Sequence, residues 1–439
     1  MPDAPPYPSL KPADSKITLT STIGRFRWVI CALLLFGVTK NYMDRQLIGV
    51  LKVTLQHDLH WNENDYANMV FVFQGAYALG ILLVGRLIDR LGTRIGYALA
   101  MALWSVASMA QGMVSSLAGF GVARFALGLG ESGVFPASLK ATAEWFPKKE
   151  RALATGIFNA GSNLGAMATP PLVTWITAHW GWRWSFFLIG AVGFVWLAAW
   201  LLIYRKPEDH PGCSAAELAY IRSDPAESPS RISWLRLAAY RQTWAFAAGK
   251  FIIDPVWWFY LFWVPGFLQR KHGLTLQRIV FPIIVIYLMA DVGSIAGGWF
   301  SSFLIHRGRS VNTARKAAML ICAVSVLPVV FAPGVASPWA SVLLIGLAAA
   351  AHQGFSCNLL TLPSDIFPAR AVASVAGMGG MAGAVGGMLV SKLVGYRLQH
   401  TGSYAIPFLV AGVAYLIAFG AIHLLSPRLE PVRLGATQV

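Results

Sequence analysis

The first apolar stretch of the chain is followed by a group of polar and charged residues at membrane depth. The largely apolar run from Trp28 to Thr39 leads into the sequence K-N-Y-M-D-R. A single charge at the centre of a bilayer costs about 2.5–3.5 kcal/mol on insertion scales. Because Lys40, Asp44 and Arg45 fall within six residues, they need partners, water or a ligand. Such a cluster indicates a membrane protein that transports a solute through this site.

Helical geometry divides this group into two parts. Lys40 and Asp44 are four residues apart and can pair, while Asn41, Tyr42 and Arg45 lie on an overlapping stripe that can face a cavity. The planar fork of an arginine can hold a carboxylate through two hydrogen bonds, and the asparagine and tyrosine can bind hydroxyl groups. The alternative is a structural ion-pair network that closes a helix interface.

A second pair of charges lies in the stretch A-R-F-A-L-G-L-G-E-S-G. Arg124 and Glu131 are seven residues apart and therefore lie on one helix face, among glycines that let a neighbouring helix approach closely. Burial disfavours the charged carboxylate and a nearby arginine favours it. We expect Glu131 to exchange protons as its surroundings alternate; a static Glu–Arg pair is the alternative.

Further candidates lie in the second half of the chain. Lys250 and Asp254 are four apart and precede P-V-W-W-F-Y, whose aromatic faces could pack against a sugar ring or form an interfacial belt. Asp291 has no evident role. Other polar or aromatic residues could line a cavity or bond neighbouring helices together: Trp257, His352, Gln353, Asn358, Asn159, Ser162 and Asn163.

Composition explains what must position these residues. The 439 residues are 56% hydrophobic and only 12% charged, about half the charge of a soluble domain. Of the 35 Lys and Arg, 24 fall in the tails and loops of one side and six in the loops of the other, so we expect both termini in the cytoplasm. The net charge of +16 therefore reflects topology and not nucleic-acid binding. The four cysteines show no disulfide or metal spacing, and we expect no cofactor.

The hydropathy pattern predicts an all-α membrane protein with twelve transmembrane helices in two six-helix pseudo-symmetric halves. We expect a tail at 1–25, a half at 26–204, a cytoplasmic loop at 205–242, a half at 243–425 and a tail at 426–439. The predicted spans are 27–50, 67–88, 95–115, 118–139, 152–177, 185–204, 243–268, 278–304, 317–334, 338–362, 371–396 and 404–425.

The loop after the second span reads G-R-L-I-D-R-L-G-T-R, and a fainter version follows the eighth span. With twelve spans, this motif resembles that of the major facilitator superfamily. The resemblance implies a cytoplasmic latch that stabilises the outward-open state; a generic basic turn is the alternative. The latch residues would be Gly85, Asp89, Arg90, Gly92 and Arg94.

Three further segments, N-Y-M-D-R, A-R-F-A-L-G-L-G-E-S-G-V-F-P-A and E-W-F-P-K-K-E-R, resemble the anion:cation symporter branch of that superfamily. Within the branch, D-P-V-W-W-F and A-H-Q-G-F-S-C-N-L-L-T-L-P-S-D-I-F look most like hexuronate transporters. The resemblance implies that Arg45 holds the substrate carboxylate, with Tyr42 beside it and Tyr77 facing it.

The same resemblance assigns proton coupling to Asp44 and Glu131, with Arg124 as the charge that Glu131 answers. One departure concerns Gly380, where the aldonate transporters carry an asparagine. This departure argues against an open-chain aldonate as the substrate, because the glycine leaves more room for a sugar ring.

We therefore expect a proton-coupled importer of a monocarboxylate sugar acid such as glucuronate or galacturonate, acting as a monomer in the inner membrane. Its partners would be the substrate, protons and the bilayer, and we expect no enzyme activity. Alternatives are a symporter for another organic anion (an aldarate, aldonate or aromatic acid), a drug/proton antiporter or a transporter-like nutrient sensor. The fifth span lacks the G-P-x-x-G-G signature of exporters, and the tails are too short to favour a sensor.

Overall fold

The computed structural model describes residues 24–223 and 234–432, and these form a bundle of long helices. Much of the predicted tails at 1–25 and 426–439, and part of the central loop, lie outside the described residues. The helices of the first half and the loop are α1 Phe26–Val50, α2 Lys52–Asp58, α3 Glu63–Met113, α4 Leu117–Glu131, α5 Val134–Trp145, α6 Lys148–Trp180, α7 Trp182–Ile203, α8 Ala215–Ile221 and α9 Trp234–Ala238. Those of the second half are α10 Arg241–His272, α11 Val280–His306, α12 Val311–Val326, α13 Pro338–Ile366, α14 Ala369–Thr401 and α15 Ala405–Leu425. Two 3₁₀ helices, Pro207–Asp209 and Leu327–Phe331, complete these elements.

These helices form twelve spans, as the hydropathy pattern predicts. Within the described residues, seven helices are long and apolar enough by themselves to cross a membrane. Of the other five spans, α1 carries interior charges, α3 comprises two spans, α4 and α5 are two pieces of one span, and α6 is a span that carries polar residues such as Asn159 and Asn163 in its interior. The domain boundaries at 26–204 and 243–425 stay a prediction.

Local sequence explains where spans bend or break. Helix α3 turns from the second span to the third at Gly92, whose φ of 78° and ψ of 162° belong to a region that residues with a Cβ rarely occupy. The fourth span breaks between Glu131 and Val134, because Pro136 has no N–H to bond the carbonyl of Ser132. At the start of α3, Asn62 and Asp65 cap each other's backbone N–H groups at 3.0 Å.

The central loop is anchored to the first span. Glu217 of α8 accepts hydrogen bonds from the backbone N–H groups of Phe26 and Arg27, at 3.2 and 3.1 Å. The Arg27 guanidinium donates to the same carboxylate and to Glu150 of α6. A carboxylate at the N-terminus of a helix also interacts favourably with the helix dipole. The start of α1, the loop and α6 are therefore tied together.

The two halves pack most extensively as α3 against α14, α1 against α10 and α6 against α11, and the short helix α2 also packs against α10. We call the end of the bundle that holds Gly24 and Val432 the terminal end, and the other the opposite end. The polar contacts that described residues make between the halves lie at mid-bundle, such as Asn163 with Asp291, or toward the opposite end, such as Tyr66 with the Phe262 carbonyl. The halves are therefore joined at the opposite end.

A charged group fastens that end, and we name its four residues, Lys52, Gln56, Glu63 and Arg270, the clasp. The Glu63 carboxylate binds Lys52 at 2.9 Å and Gln56 at 3.2 Å in its own half, and it binds Arg270 of the other half. Arg270 also donates to Gln56 at 2.7 Å. One buried carboxylate thus holds cations from both halves.

Breaking the clasp should loosen the opposite end. We expect Glu63→Gln and Arg270→Ala to lengthen the distance between spin labels attached at His57 and Arg278, which flank the clasp in the two halves, because the charged contact between the halves is lost. Double electron–electron resonance on the purified protein, with its native cysteines replaced by serine, measures that distance. Lys271→Ala, which removes an exposed cation next to Arg270, is the matched control. An unchanged distance distribution in Arg270→Ala would show that the clasp does not hold the halves together.

Candidate functional site

The centre of the bundle contains an ion pair between the first and fourth spans. Arg45 Nε lies 2.6 Å from Glu131 Oε2, and the two side chains are 2% and 0% exposed. Only one oxygen is used, because Glu131 Oε1 and Arg45 Nη2 have no hydrogen-bond partner among the described residues. The guanidinium is therefore not saturated by its carboxylate and keeps a donor for another acceptor.

The fourth span packs closely on α3 because its glycines face that helix. A Cβ added at Gly128 would collide with the backbone carbonyl of Phe73 in α3. The close packing of α4 on α3 brings Glu131 to the depth of Arg45. The spacing of glycines in the sequence predicted this approach.

Lys40 and Asp44, both on α1, form a second buried ion pair next to the Arg45–Glu131 pair. Lys40 Nζ lies 2.6 Å from Asp44 Oδ2, as the four-residue spacing predicts, and Ser108 donates to the other carboxylate oxygen at 2.6 Å. Lys40 also lies 3.3 Å from Ser105 Oγ and 5.3 Å from the centre of the Trp104 ring. Asp44 is thus held by α1 and by the third span of α3.

Arg124 is the third residue to which the resemblance assigns a part in proton coupling. The resemblance implies that it is the charge that Glu131 answers, and the direct ion pair of this carboxylate is with Arg45; a coupling role for Arg124 stays a prediction. A spacing of seven residues places two side chains on the same face of a helix, but it does not determine which side chain of a neighbouring helix lies opposite them. Arg124 is fully buried, with its guanidinium 4.7 Å from the centre of the Phe73 ring, and its three nitrogens have no hydrogen-bond partner among the described residues. We call Lys40, Asp44, Arg45, Arg124 and Glu131 the central cluster.

Aromatic rings surround the Arg45 guanidinium. The ring centres of Tyr77, Tyr42 and Trp258 lie 4.6, 5.1 and 5.2 Å from its central carbon. The two tyrosines stand where the resemblance puts them. Trp258 comes from α10 in the other half, and the sequence analysis chose its neighbour Trp257 instead. Its four-residue spacing from Asp254 was the signal that could have identified it.

Trp257 and His352, two further candidates, contact each other. Trp257 stacks on the His352 ring at 4.9 Å with an interplanar angle of 11°. His352 Nδ1 in turn lies 2.5 Å from the Tyr415 hydroxyl, and Gln353 is half-buried. These contacts brace α10 against α13 and α15.

The structure places Asn358 at a contact between helices, the alternative that the sequence left open. Asn358 donates to the carbonyls of Gly297 and Gly354 at 3.0 and 2.9 Å. Ser162 donates to the carbonyl of Asn159 within its own helix at 2.8 Å, and the Asn159 side chain is exposed.

Two buried amides near the central cluster have unused hydrogen-bonding atoms. Neither side-chain polar atom of Asn41 or of Gln74 has a hydrogen-bond partner among the described residues. Asn41 was a sequence candidate, whereas Gln74 was missed because it stands in an apolar run. Buried amide atoms without partners are costly unless a ligand or water satisfies them. Both side chains therefore suit the hydroxyl groups of a ligand.

The predicted latch is only partly within the described side chains, which exclude Gly85 and Asp89. Gly92 makes the turn described above, Arg90 is exposed, and Arg94 donates to the carbonyl of Leu201 at 2.5 Å. Nearby, Glu144 accepts hydrogen bonds from Thr93 and Tyr204 at 2.6 and 2.5 Å. The contacts of Arg94 and Glu144 lie within the first half, and a latch role stays a prediction.

A twelve-span bundle with buried charges at its centre and a polar clasp at one end defines a membrane transporter and not an enzyme. A family model described as Major Facilitator Superfamily matches residues 34–391. The chain belongs to that family.

Individual relatives agree with this membership. The chain is 33% identical over 400 residues to the hexuronate transporter of Escherichia coli strain K12, covering 89% of this chain and 92% of that protein. It is 36% identical over 279 residues to the galacturonate transporter of Dickeya chrysanthemi, covering 62% and 81%. In structure it is similar to a bacterial homolog of the human lysosomal transporter Spinster in an inward-facing and occupied conformation, with a TM-score of 0.71, 17% identity and coverage of 92% and 97%.

The Lys40–Asp44 pair should stabilise the fold. Removing one member of a buried ion pair leaves an uncompensated charge and costs about 3–5 kcal/mol. We therefore expect Lys40→Met to lower the melting temperature of the detergent-purified protein, measured by tryptophan fluorescence. The double variant Lys40→Met/Asp44→Asn removes both charges, keeps a partner for Ser108, and should recover most of the loss. A double variant no more stable than the single one would contradict a pairing role for Lys40.

Proposed function

We propose that the protein imports a monocarboxylate sugar acid, a hexuronate such as glucuronate or galacturonate, together with protons. The observation that carries the proposal is the charge of the central cluster. Its three cations face two carboxylates, and the guanidinium of Arg124 has no hydrogen-bond partner among the described residues. One carboxylate of a substrate would balance the excess positive charge.

The surroundings of Arg45 support a sugar as the carrier of that carboxylate. Aromatic rings offer faces for the C–H groups of a sugar ring, and tyrosine hydroxyls and the Asn41 and Gln74 amides offer partners for its hydroxyls. The hexuronate and galacturonate transporters among the relatives favour the same substrate class.

Proton coupling follows from competition for one guanidinium. Glu131 and a substrate carboxylate would both bind Arg45, and two anions there repel each other. A proton on Glu131 would weaken its hold on Arg45 and free the guanidinium for the substrate. Asp44, held by Lys40 and Ser108, would be the second carboxylate to titrate.

The charge bias of the loops supports an arrangement with both termini in the cytoplasm and the protein in an inner membrane. With that orientation the opposite end, which carries the clasp, faces outward, and the contacts between the halves close the protein on that side. We propose that the two halves rock about the central cluster as a monomer, with the site exposed alternately to each side.

Uptake into proteoliposomes tests the proposal. We expect an inward proton gradient to drive accumulation of labelled glucuronate or galacturonate above the external concentration. A protonophore should abolish this accumulation because it removes the driving force. Arg45→Ala should lose uptake and binding, since the carboxylate loses its main partner. Uptake that is indifferent to the gradient would reject symport, and undiminished binding by Arg45→Ala would remove Arg45 from the site.

Glu131→Gln separates coupling from binding. Glutamine is close in shape to protonated glutamate and cannot titrate, so the variant should exchange labelled for unlabelled substrate across the membrane but fail to accumulate it against a gradient. Counterflow and gradient-driven uptake, measured on the same proteoliposomes, report the two activities. Gradient-driven accumulation at the wild-type level would show that Glu131 does not carry the coupled proton.

A further inference from the structure

A further ion pair lies inside the bundle on α10, in the half that does not contain the central cluster. Lys250 Nζ lies 2.8 Å from Asp254 Oδ1. The side chains are 13% and 18% exposed, whereas those of Arg45 and Glu131 are 2% and 0% exposed. The Lys250–Asp254 pair is therefore open to a ligand or water in this state, while the Arg45–Glu131 pair is covered.

This pair continues the line of residues that contacts Arg45. Lys250, Asp254 and Trp258 are successively four apart and share one face of α10. Trp258 is the ring 5.2 Å from the Arg45 guanidinium, and one helical turn rises about 5.4 Å. Asp254 thus lies about one turn beyond the aromatic rings, a separation comparable with the length of a six-carbon chain.

Helix α14 packs closely on this line through two glycines. A Cβ added at Gly383 would collide with the Asp254 carboxylate, and one added at Gly387 would collide with Gln74 and Trp258, so these side chains fill the places that a larger residue of α14 would take. A Cβ added at Gly380 would meet no atom within 4 Å. The volume that the sequence analysis associated with Gly380 is therefore open.

We propose that Lys250 and Asp254 form a second subsite, which receives the hydroxyl end of the sugar acid and rejects a second carboxylate. The proposal rests on the proposed function. A lysine ammonium donates hydrogen bonds and an aspartate accepts them, so the pair can satisfy hydroxyl groups, which do both. The second carboxylate of an aldarate, a sugar acid charged at both ends, would lose hydration there without a net attraction in return, because the repulsion from Asp254 offsets the attraction to Lys250.

The charge pattern explains why the subsite is a pair and not a single lysine. A lone cation at this place would attract a second carboxylate as Arg45 attracts the first. Asp254 cancels that attraction and leaves a polar, neutral surface. Arg45 would then recognise the charge of the substrate at one end of the site, and the Lys250–Asp254 pair would recognise its hydroxyl groups at the other.

Competition binding to the purified full-length protein tests this subsite. Labelled glucuronate or galacturonate is bound in detergent and displaced by unlabelled glucarate, and the ratio of the two dissociation constants is the readout. Asp254→Asn leaves Lys250 without its counter-charge and should improve glucarate relative to the hexuronate by about tenfold, the order of one close charge interaction. Lys250→Gln leaves Asp254 alone and should shift the ratio the other way. The double variant Lys250→Gln/Asp254→Asn is neutral and should return toward the wild-type ratio.

Asp291→Asn is the matched control, because it removes the same charge from the same half at a residue whose carboxylate accepts a hydrogen bond from Asn163. It should leave the ratio unchanged. A ratio that moves by less than twofold in both single variants, or that moves equally in Asp291→Asn, would overturn the subsite. If Asp254→Asn does not fold, Lys250→Gln decides by itself. Wild-type protein that binds neither hexuronate would overturn the proposed function, whereas normal wild-type binding with unaltered ratios would overturn only the subsite.

Discussion

The ion pair between Arg45 and Glu131 is the interaction on which the rest of the site depends. Neither charge is stable at this depth without the other, because burial removes the solvation that water would supply. The pair joins α1 to α4, and glycines in α4 let that helix pack closely on α3. It also fixes the position of the guanidinium against Tyr42, Tyr77 and Trp258. The aromatic surroundings and the contact with the second half are thus arranged around one cation.

The hydrophobic pattern predicted the helices well, because a residue pattern suited to lipid is strong and local. Neighbours on one helix were also predictable, as Lys40 and Asp44 show. Partners on different helices were harder. The sequence could not tell whether Arg45 or Arg124 would bind Glu131, since the rotation of α1 against α4 decides this. The sequence could not decide between Trp257 and Trp258 for a similar reason: adjacent residues point about 100° apart, and only the packing of α10 shows that Trp258 is the one beside Arg45.

Contacts across long stretches of sequence were not predictable at all. Glu63 meets Arg270 more than two hundred residues away, and Asn163 meets Asp291. Nothing in the spacing of Glu217 shows that it caps the first span. These contacts depend on the arrangement of the two halves and of the loop between them. Asn358 illustrates the converse, because a polar residue in an apolar helix was a plausible site residue and is instead bonded to two backbone carbonyls.

The distribution of ion pairs between the halves separates two tasks. Arg45 and Glu131 belong to the same half, as do Lys40 and Asp44, so movement of one half as a rigid body against the other leaves both pairs intact. Only a proton or a competing anion can change them. Glu63, by contrast, holds Lys52 in its own half and Arg270 in the other, so its contacts change whenever the halves separate at that end. In the proposed mechanism, binding and closure are therefore assigned to different charges. A ligand that touches Arg45 on one side and α10 on the other would connect them, because it would span the same interface that the clasp closes.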